Sequence, residues 1–158
     1  MATLVPVDGD IEKTLAKALK HREGWWVRVV LDSIEYLVSD YGYQVEAVEM
    51  HFRGNYVWFR GSTYRISILY DPDSRDLAAS LWAIGDIESW SRVRSLAVYA
   101  LLNSRDPGSE YRSPTPDHDL TREEVKSTIQ IWAKGLRELT PDILSGAWAG
   151  NVEWGYLW

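Results

Sequence analysis

The sequence predicts an α+β domain, a four-stranded antiparallel meander packed with about four helices in the order ααββββαα. Three observations predict it. Apolar residues recur at helical spacing up to Tyr41, alternate with period two between Gln44 and Ile84, and return to helical spacing after Gly85. The turns between the period-two segments are short, whereas a parallel crossover needs roughly a dozen residues. The chain's 158 residues contain no internal repeat and no interdomain linker, so one domain over 1–158 is expected, long enough to bury its own core.

The elements follow in order. Residues 10–23 carry Ile11, Leu15, Ala18 and Leu19 at helical spacing, with Asp10 as N-cap and Gly24 as the C′ glycine. A second helix over 25–41 presents a continuous stripe of Val27, Val30, Leu31, Ile34, Leu37, Val38 and Tyr41, wide enough to pack on a sheet. Gln44–Phe52, Asn55–Arg60, Tyr64–Tyr70 and Leu77–Ile84 then read as strands, separated by Arg53-Gly54-Asn55, Gly61-Ser62 and Asp71-Pro72-Asp73-Ser74. In the third strand Tyr64, Ile66, Ile68 and Tyr70 share one face, and Arg65 and Ser67 the other, so one side is covered and the other partly wet. Tyr64, Ile66, Ile68 and Leu81 are expected in the core. A third helix is expected from Trp90, Val93, Leu96, Ala97, Ala100 and Leu101, capped by Asp86 or Ser89. Thr121-Arg122-Glu123-Glu124 is a capping box opening a fourth, through Val125, Ile129, Trp132 and Leu136, with Asp119 a second cap candidate. Trp148, Trp154, Tyr156, Leu157 and Trp158 make an apolar tail expected to dock on the body.

Composition excludes several functions. With 17 basic and 23 acidic residues the formal net charge is −6, a field that repels phosphate backbones, so neither nucleic acid nor an anionic membrane is an expected partner. The absence of cysteine removes disulfides, thiol catalysis and thiolate-bound zinc. No apolar run approaches the roughly 20 residues of a membrane span. Met1–Asp10 has acids and no basic stretch, so no secretory signal is expected and the compartment is read as cytoplasmic. Nine Trp and nine Tyr stand against two Phe, and Trp and Tyr carry a polar handle that suits half-buried positions and interfaces.

A catalytic constellation does not emerge. His21, His51 and His118 form no metal-binding or nucleophile spacing. Asp117-His118-Asp119 are adjacent and cannot all face one ion on an ordinary loop, so no metal is expected there. Asp71-Pro72-Asp73-Ser74 lacks the glycine and glutamate of a calcium loop and reads as a hairpin turn. No two glycines flank a single residue, which removes the dinucleotide fingerprint, and no GxSxG elbow is present. The carboxylate pairs Glu46/Glu49 and Glu123/Glu124 are of a kind that an acid-rich chain shows by chance. No cofactor and no enzymatic activity are expected. Arg53, Arg60 and Arg65 cluster in the meander, either as cross-strand partners of Glu46 and Glu49 or as a recognition patch.

One pattern suggests a family. Asp40-Tyr41-Gly42-Tyr43 ends an amphipathic helix; Phe59-x₄-Tyr64-Arg65-Ile66-Ser67-Ile68-Leu69-Tyr70-Asp71 follows a hairpin; Trp132-Ala133-Lys134-Gly135-Leu136-Arg137 and Pro141-Asp142-Ile143-Leu144-Ser145-Gly146 come later. Over about two-thirds of the chain this resembles small bacterial immunity proteins of polymorphic and contact-dependent toxin systems. The resemblance implies a cytoplasmic, cofactor-free protein that neutralises a toxin domain by occluding its active site. It carries no functional residue over, because such families diversify at the contact surface. The acidic net charge suits a basic toxin domain, since opposite charge raises the encounter rate. A small binding or adaptor module fits the same residues, and an enzyme with an unfamiliar site fits them least. The oligomeric state stays open.

Residues 103–118 have no periodicity and three prolines, an uncommon length for a mere connector. Asp106, Glu110, Tyr111, Asp117 and Asp119 gather acids around an aromatic in and beside it and are the expected partner-binding residues. Arg105 and Arg112 partly offset that charge, and the Arg-bearing sheet face is the second candidate.

Overall fold

A computed structural model of the chain describes residues 11–51, 54–84, 94–111, 118–147 and 155–156. The N-terminal part is α1 (Ile11–Leu19), α2 (Gly24–Ser33) and α3 (Glu35–Ser39). The strands β1 (Gln44–His51), β2 (Gly54–Arg60), β3 (Tyr64–Asp71), β4 (Asp76–Ala83) and β5 (Arg94–Ala97) follow. Helices α4 (Val98–Arg105), α5 (Arg122–Leu139) and α6 (Pro141–Leu144) precede the two-residue strand β6 (Gly155–Tyr156). The chain is therefore α+β, and all sheet neighbours are sequential and antiparallel in the order β1-β2-β3-β4-β5-β6.

Four expectations need correction. The sheet extends beyond a four-stranded meander, because β5 pairs with β4 through Ser80↔Ala97, Leu81↔Leu96 and Trp82↔Ser95, and β6 adds to β5. The helix expected through Leu96 and Ala97 starts only at Val98. Leu96 is buried while Ser95 and Ala97 are only partly so, and that run of alternate burial is a strand's period embedded in a helix-like stripe. Asp86, Ser89, Trp90 and Val93, on which the rest of that helix rested, lie outside the described residues. The helix expected over 25–41 is two helices, since Ile34 leaves helical geometry at φ −119°, ψ 24° while its side chain stays in the core. Gly24 belongs to the start of α2 rather than the end of α1. A β-carbon there would lie 2.6 Å from the carbonyl oxygens of both Ala18 and Leu19, so only glycine allows the tight α1–α2 corner.

Elsewhere local chemistry and structure agree. Thr121 Oγ1 accepts from the Glu124 amide at 3.1 Å and caps α5, which makes Thr121, not Asp119, the cap. Asp71 accepts from the Asp73 and Ser74 amides and the Ser74 hydroxyl, fixing the β3–β4 turn.

Tyr64, Ile66, Ile68 and Tyr70 of β3 point to the core as expected, facing Val57 and Phe59 of β2 and Leu77 and Leu81 of β4. Trp26, Val27 and Val30 of α2 and Val125, Ile129, Trp132 and Leu136 of α5 belong to the same core. The rings of Trp25 and Trp26 meet Tyr70 at 5.7 and 5.8 Å, joining α2 to the sheet. The Tyr36 hydroxyl donates to the Ala133 carbonyl at 2.6 Å, joining α3 to α5. Of the apolar tail, only the backbone of β6 falls within the described residues; Trp148, Trp154, Leu157 and Trp158 do not.

Candidate functional site

The loop residues expected to meet a partner are mostly engaged within the chain. Asp106 accepts from Ser109 Oγ at 2.6 Å, which closes a turn at the end of α4. Tyr111 is held by a reciprocal pair: its amide donates to Asn103 Oδ1 and its carbonyl accepts from Asn103 Nδ2, both at 2.8 Å. Its ring packs against the core. Asp119 pairs with Arg75 at 3.0 Å, tying this segment to the β3–β4 turn. Glu110 is exposed, and Asp117 lies outside the described residues. Arg105 grips Asp142 with two hydrogen bonds of 3.0 Å, and this contact holds the Asp142 carboxyl below the usual carboxylate range. Asp106, Tyr111 and Asp119 are thus each engaged by a partner within the chain.

His118 binds Glu124 at 3.1 Å, which lowers the pKa of Glu124, so this histidine is a partner of the α5 start. Among the described residues no group of three or more potential ligands is placed to hold a metal, and no helix is long and apolar enough to cross a membrane. A groove of about 560 Å³ runs between α2–α3 and α5, lined by Asp32, Tyr36, Lys134, Arg137 and Glu138. Arg137 reaches Asp40 at 3.6 Å and covers the Tyr36 ring at 5.2 Å, so its cation is already used.

The face of the sheet turned away from the core is built differently. The β2–β3 and β3–β4 registers put Tyr56, Trp58 and Arg60 beside Arg65, Ser67 and Leu69, and these beside Ala78, Ser80 and Trp82. Ser67 is small, so the Trp58 and Trp82 rings close over it to 5.5 Å, and its hydroxyl accepts from Trp82 Nε1 at 2.8 Å. Tyr56 stacks on Trp58 at 5.9 Å and 17°. Burial, reinforced by the Glu49 carboxylate, raises the pKa of Tyr56.

A β-bulge supplies the charged part of this face. The β1–β2 register shifts between Val45 and Ala47, leaving Glu46 as the extra residue. Bulges re-aim side chains, and Glu46 Oε1 accepts from Arg65 at 2.8 Å and from Arg60 at 3.4 Å. Arg60 and Arg65 are direct cross-strand partners. Like charges directly opposite repel, and Glu46 bridges them. The expected pairing of sheet arginines with β1 acids therefore lands on Glu46, while Arg53 lies outside the described residues. Sequence reading found the arginines but missed the indoles beside them. The signal was present: Tyr56, Trp58 and Arg60 alternate with Asn55, Val57 and Phe59.

Among the described residues the exposed large apolar side chains are Val38, Tyr99 and Ile131, one each on α3, α4 and α5. Scattered singly, they mark no surface. Among the described residues the open sheet face thus brings Trp, Tyr and Arg side chains together in one place. No family model matches the chain, and no curated protein or solved structure matches it significantly.

Proposed function

We propose that the chain is a non-enzymatic protein-binding module of the immunity type, which neutralises a basic toxin domain in the bacterial cytoplasm by covering its active site. The observation that carries the binding part is the open sheet face, where Tyr56, Trp58 and Trp82 stand beside Arg60 and Arg65, whose guanidinium groups share the Glu46 carboxylate. Trp, Tyr and Arg are the residues that dominate binding energy at protein interfaces, because they bring large contact area and directional hydrogen bonds together. The toxin part rests on the sequence resemblance and on the net charge of −6, which would speed encounter with a basic domain. A rigid sheet face also needs little ordering on association, which favours tight binding.

The test is co-expression with the product of the neighbouring reading frame, followed by purification of any complex and a growth assay. The reading expects a stable one-protein partner and rescue of growth when that product is toxic. Turnover of a small molecule with no protein partner would overturn it.

A further inference from the structure

We infer that the Arg60–Glu46–Arg65 cluster between Gln44 and Trp82 is an anchor point for the carboxylate of an acidic side chain of the partner. The inference rests on the protein-binding reading and names the chemistry that this face recognises. Its basis is an imbalance. Two guanidinium groups share one carboxylate oxygen, and neither arginine has another ion-pair partner among the described residues. The two contacts are unequal. Arg65 is only 18% exposed and close to Glu46, whereas Arg60 is 45% exposed and held at 3.4 Å. Arg60 is therefore the cation free to turn outward, and Glu46 keeps Arg65 when it does.

Two further donors point the same way. Arg65 Nε and Trp58 Nε1 are buried without a hydrogen-bond acceptor. At the Arg60–Arg65 end of the face donors and positive charge thus exceed acceptors, although Glu49 sets a second buried carboxylate farther along β1, opposite Tyr56, and the chain as a whole is acidic. A planar carboxylate matches a guanidinium through two parallel hydrogen bonds, a geometry that phosphate shares and a lone carbonyl cannot reproduce, so inorganic phosphate is the probe that tells a carboxylate site from a general anion site. The indoles of Trp58 and Trp82 beside it would shield that pair from water and strengthen it. The overall negative field and the local positive anchor are compatible: the first guides a basic domain in, and the second takes an acid set within the domain's cleft.

The experiment is a titration of the intact protein followed by NMR at the Trp indole and Arg Nε resonances. The probes are blocked hexaglutamate, blocked hexalysine and inorganic phosphate. Saturable shifts at Trp58, Trp82 and Arg65 with hexaglutamate alone, weakened about tenfold or more by Arg60→Ala, are the expected result. Arg60→Lys should recover little, because an ammonium cannot form the paired contact. Equal response to all three probes, response to phosphate alone, or hexaglutamate binding indifferent to Arg60→Ala would overturn the inference. Far-UV circular dichroism of both variants establishes that they fold. A toxin partner that binds Arg60→Ala as tightly as the parent would sink the anchor and leave the proposed function standing; specific hexaglutamate binding with no cellular protein partner would do the reverse.

Discussion

The two faces of one sheet solve different problems with the same strands. On the inner face Val57, Phe59, Tyr64, Ile66, Ile68, Leu77 and Leu81 are buried to within a few per cent of completely. On the outer face the alternating residues are Tyr56, Trp58, Arg60, Arg65, Ser67 and Trp82, half-buried for the most part and joined by ring contacts, one indole–hydroxyl bond and a shared carboxylate. Apolar burial is non-directional and tolerates no water, whereas indoles and guanidinium groups hold their energy in oriented contacts that a partner can extend. The difference teaches that period-two alternation here separates an apolar core from a face of oriented polar and aromatic contacts, not simply dry from wet.

Truncation on the inner face should produce the largest effect. Phe59→Ala removes a side chain that is 1% exposed and leaves a cavity that β1 and β3 cannot close. A loss of about 3–5 kcal/mol is expected, measured as a fall in the denaturant midpoint at constant slope. A loss below about 1 kcal/mol would mean that the inner face is not the core.

Glu46→Ala should come next, and it probes the outer face. Removing Glu46 strands Arg65 half-buried and directly opposite Arg60. Breaking a buried pair costs about 3–5 kcal/mol, and the partial exposure of this one reduces that to roughly 1–3 kcal/mol. Added salt should recover part of the loss by screening the two cations. If the variant matches the parent at low salt, the bulge-borne carboxylate does not organise this face.

Alkaline pH sharpens the contrast from the inner side. Tyr43 lies with its ring over Gly61, where an added β-carbon would sit 2.6 Å from the ring. Burial, with a smaller contribution from Tyr64, pushes its hydroxyl from 10.0 up to about 12. The folded state then holds a proton that the unfolded chain has lost, so this contribution to stability is whole below pH 10 and falls as pH rises through about 12. Tyrosinate absorbance of Tyr43 should appear together with unfolding, and Tyr43→Phe should raise the pH of the transition. Titration of Tyr43 at its ordinary value in the folded protein would show that the hydroxyl is wet.

How far the sequence reached follows the same division. Tyr64, Ile66, Ile68 and Leu81 were legible as core because alternation is a local property of one strand. The break at Ile34 was not, since its side chain stays on the apolar stripe while only the backbone departs. β5 was hidden because Leu96, Ala97, Ala100 and Leu101 satisfy a helical period as well, and pairing with β4 decided the matter. The outer sheet face was half legible. Arg60 and Arg65 could be placed near β1 acids, but Glu46 becomes the bridge only through a register shift no local pattern announces. The loop's internal contacts were hidden for a related reason: Asp106, Tyr111 and Asp119 look free in sequence, and their partners Ser109, Asn103 and Arg75 become visible only in space.

The smallest stability effect belongs to Arg60→Ala, and its smallness is what makes it informative. Arg60 meets Glu46 at 3.4 Å through a side chain that is 45% exposed, so solvent screens the attraction. Its removal also relieves the repulsion with Arg65 directly across the ladder, and Glu46 keeps its shorter bond to that residue. These terms oppose one another, and the net change should lie within about 0.5 kcal/mol of zero, with little dependence on salt. The measurement is the denaturant midpoint beside that of Glu46→Ala. A loss for Arg60→Ala equal to that for Glu46→Ala would mean that the three side chains act as one indivisible structural unit. A near-zero change would leave Arg60 as a cation that folding does not require, on a face whose other charged groups it does require.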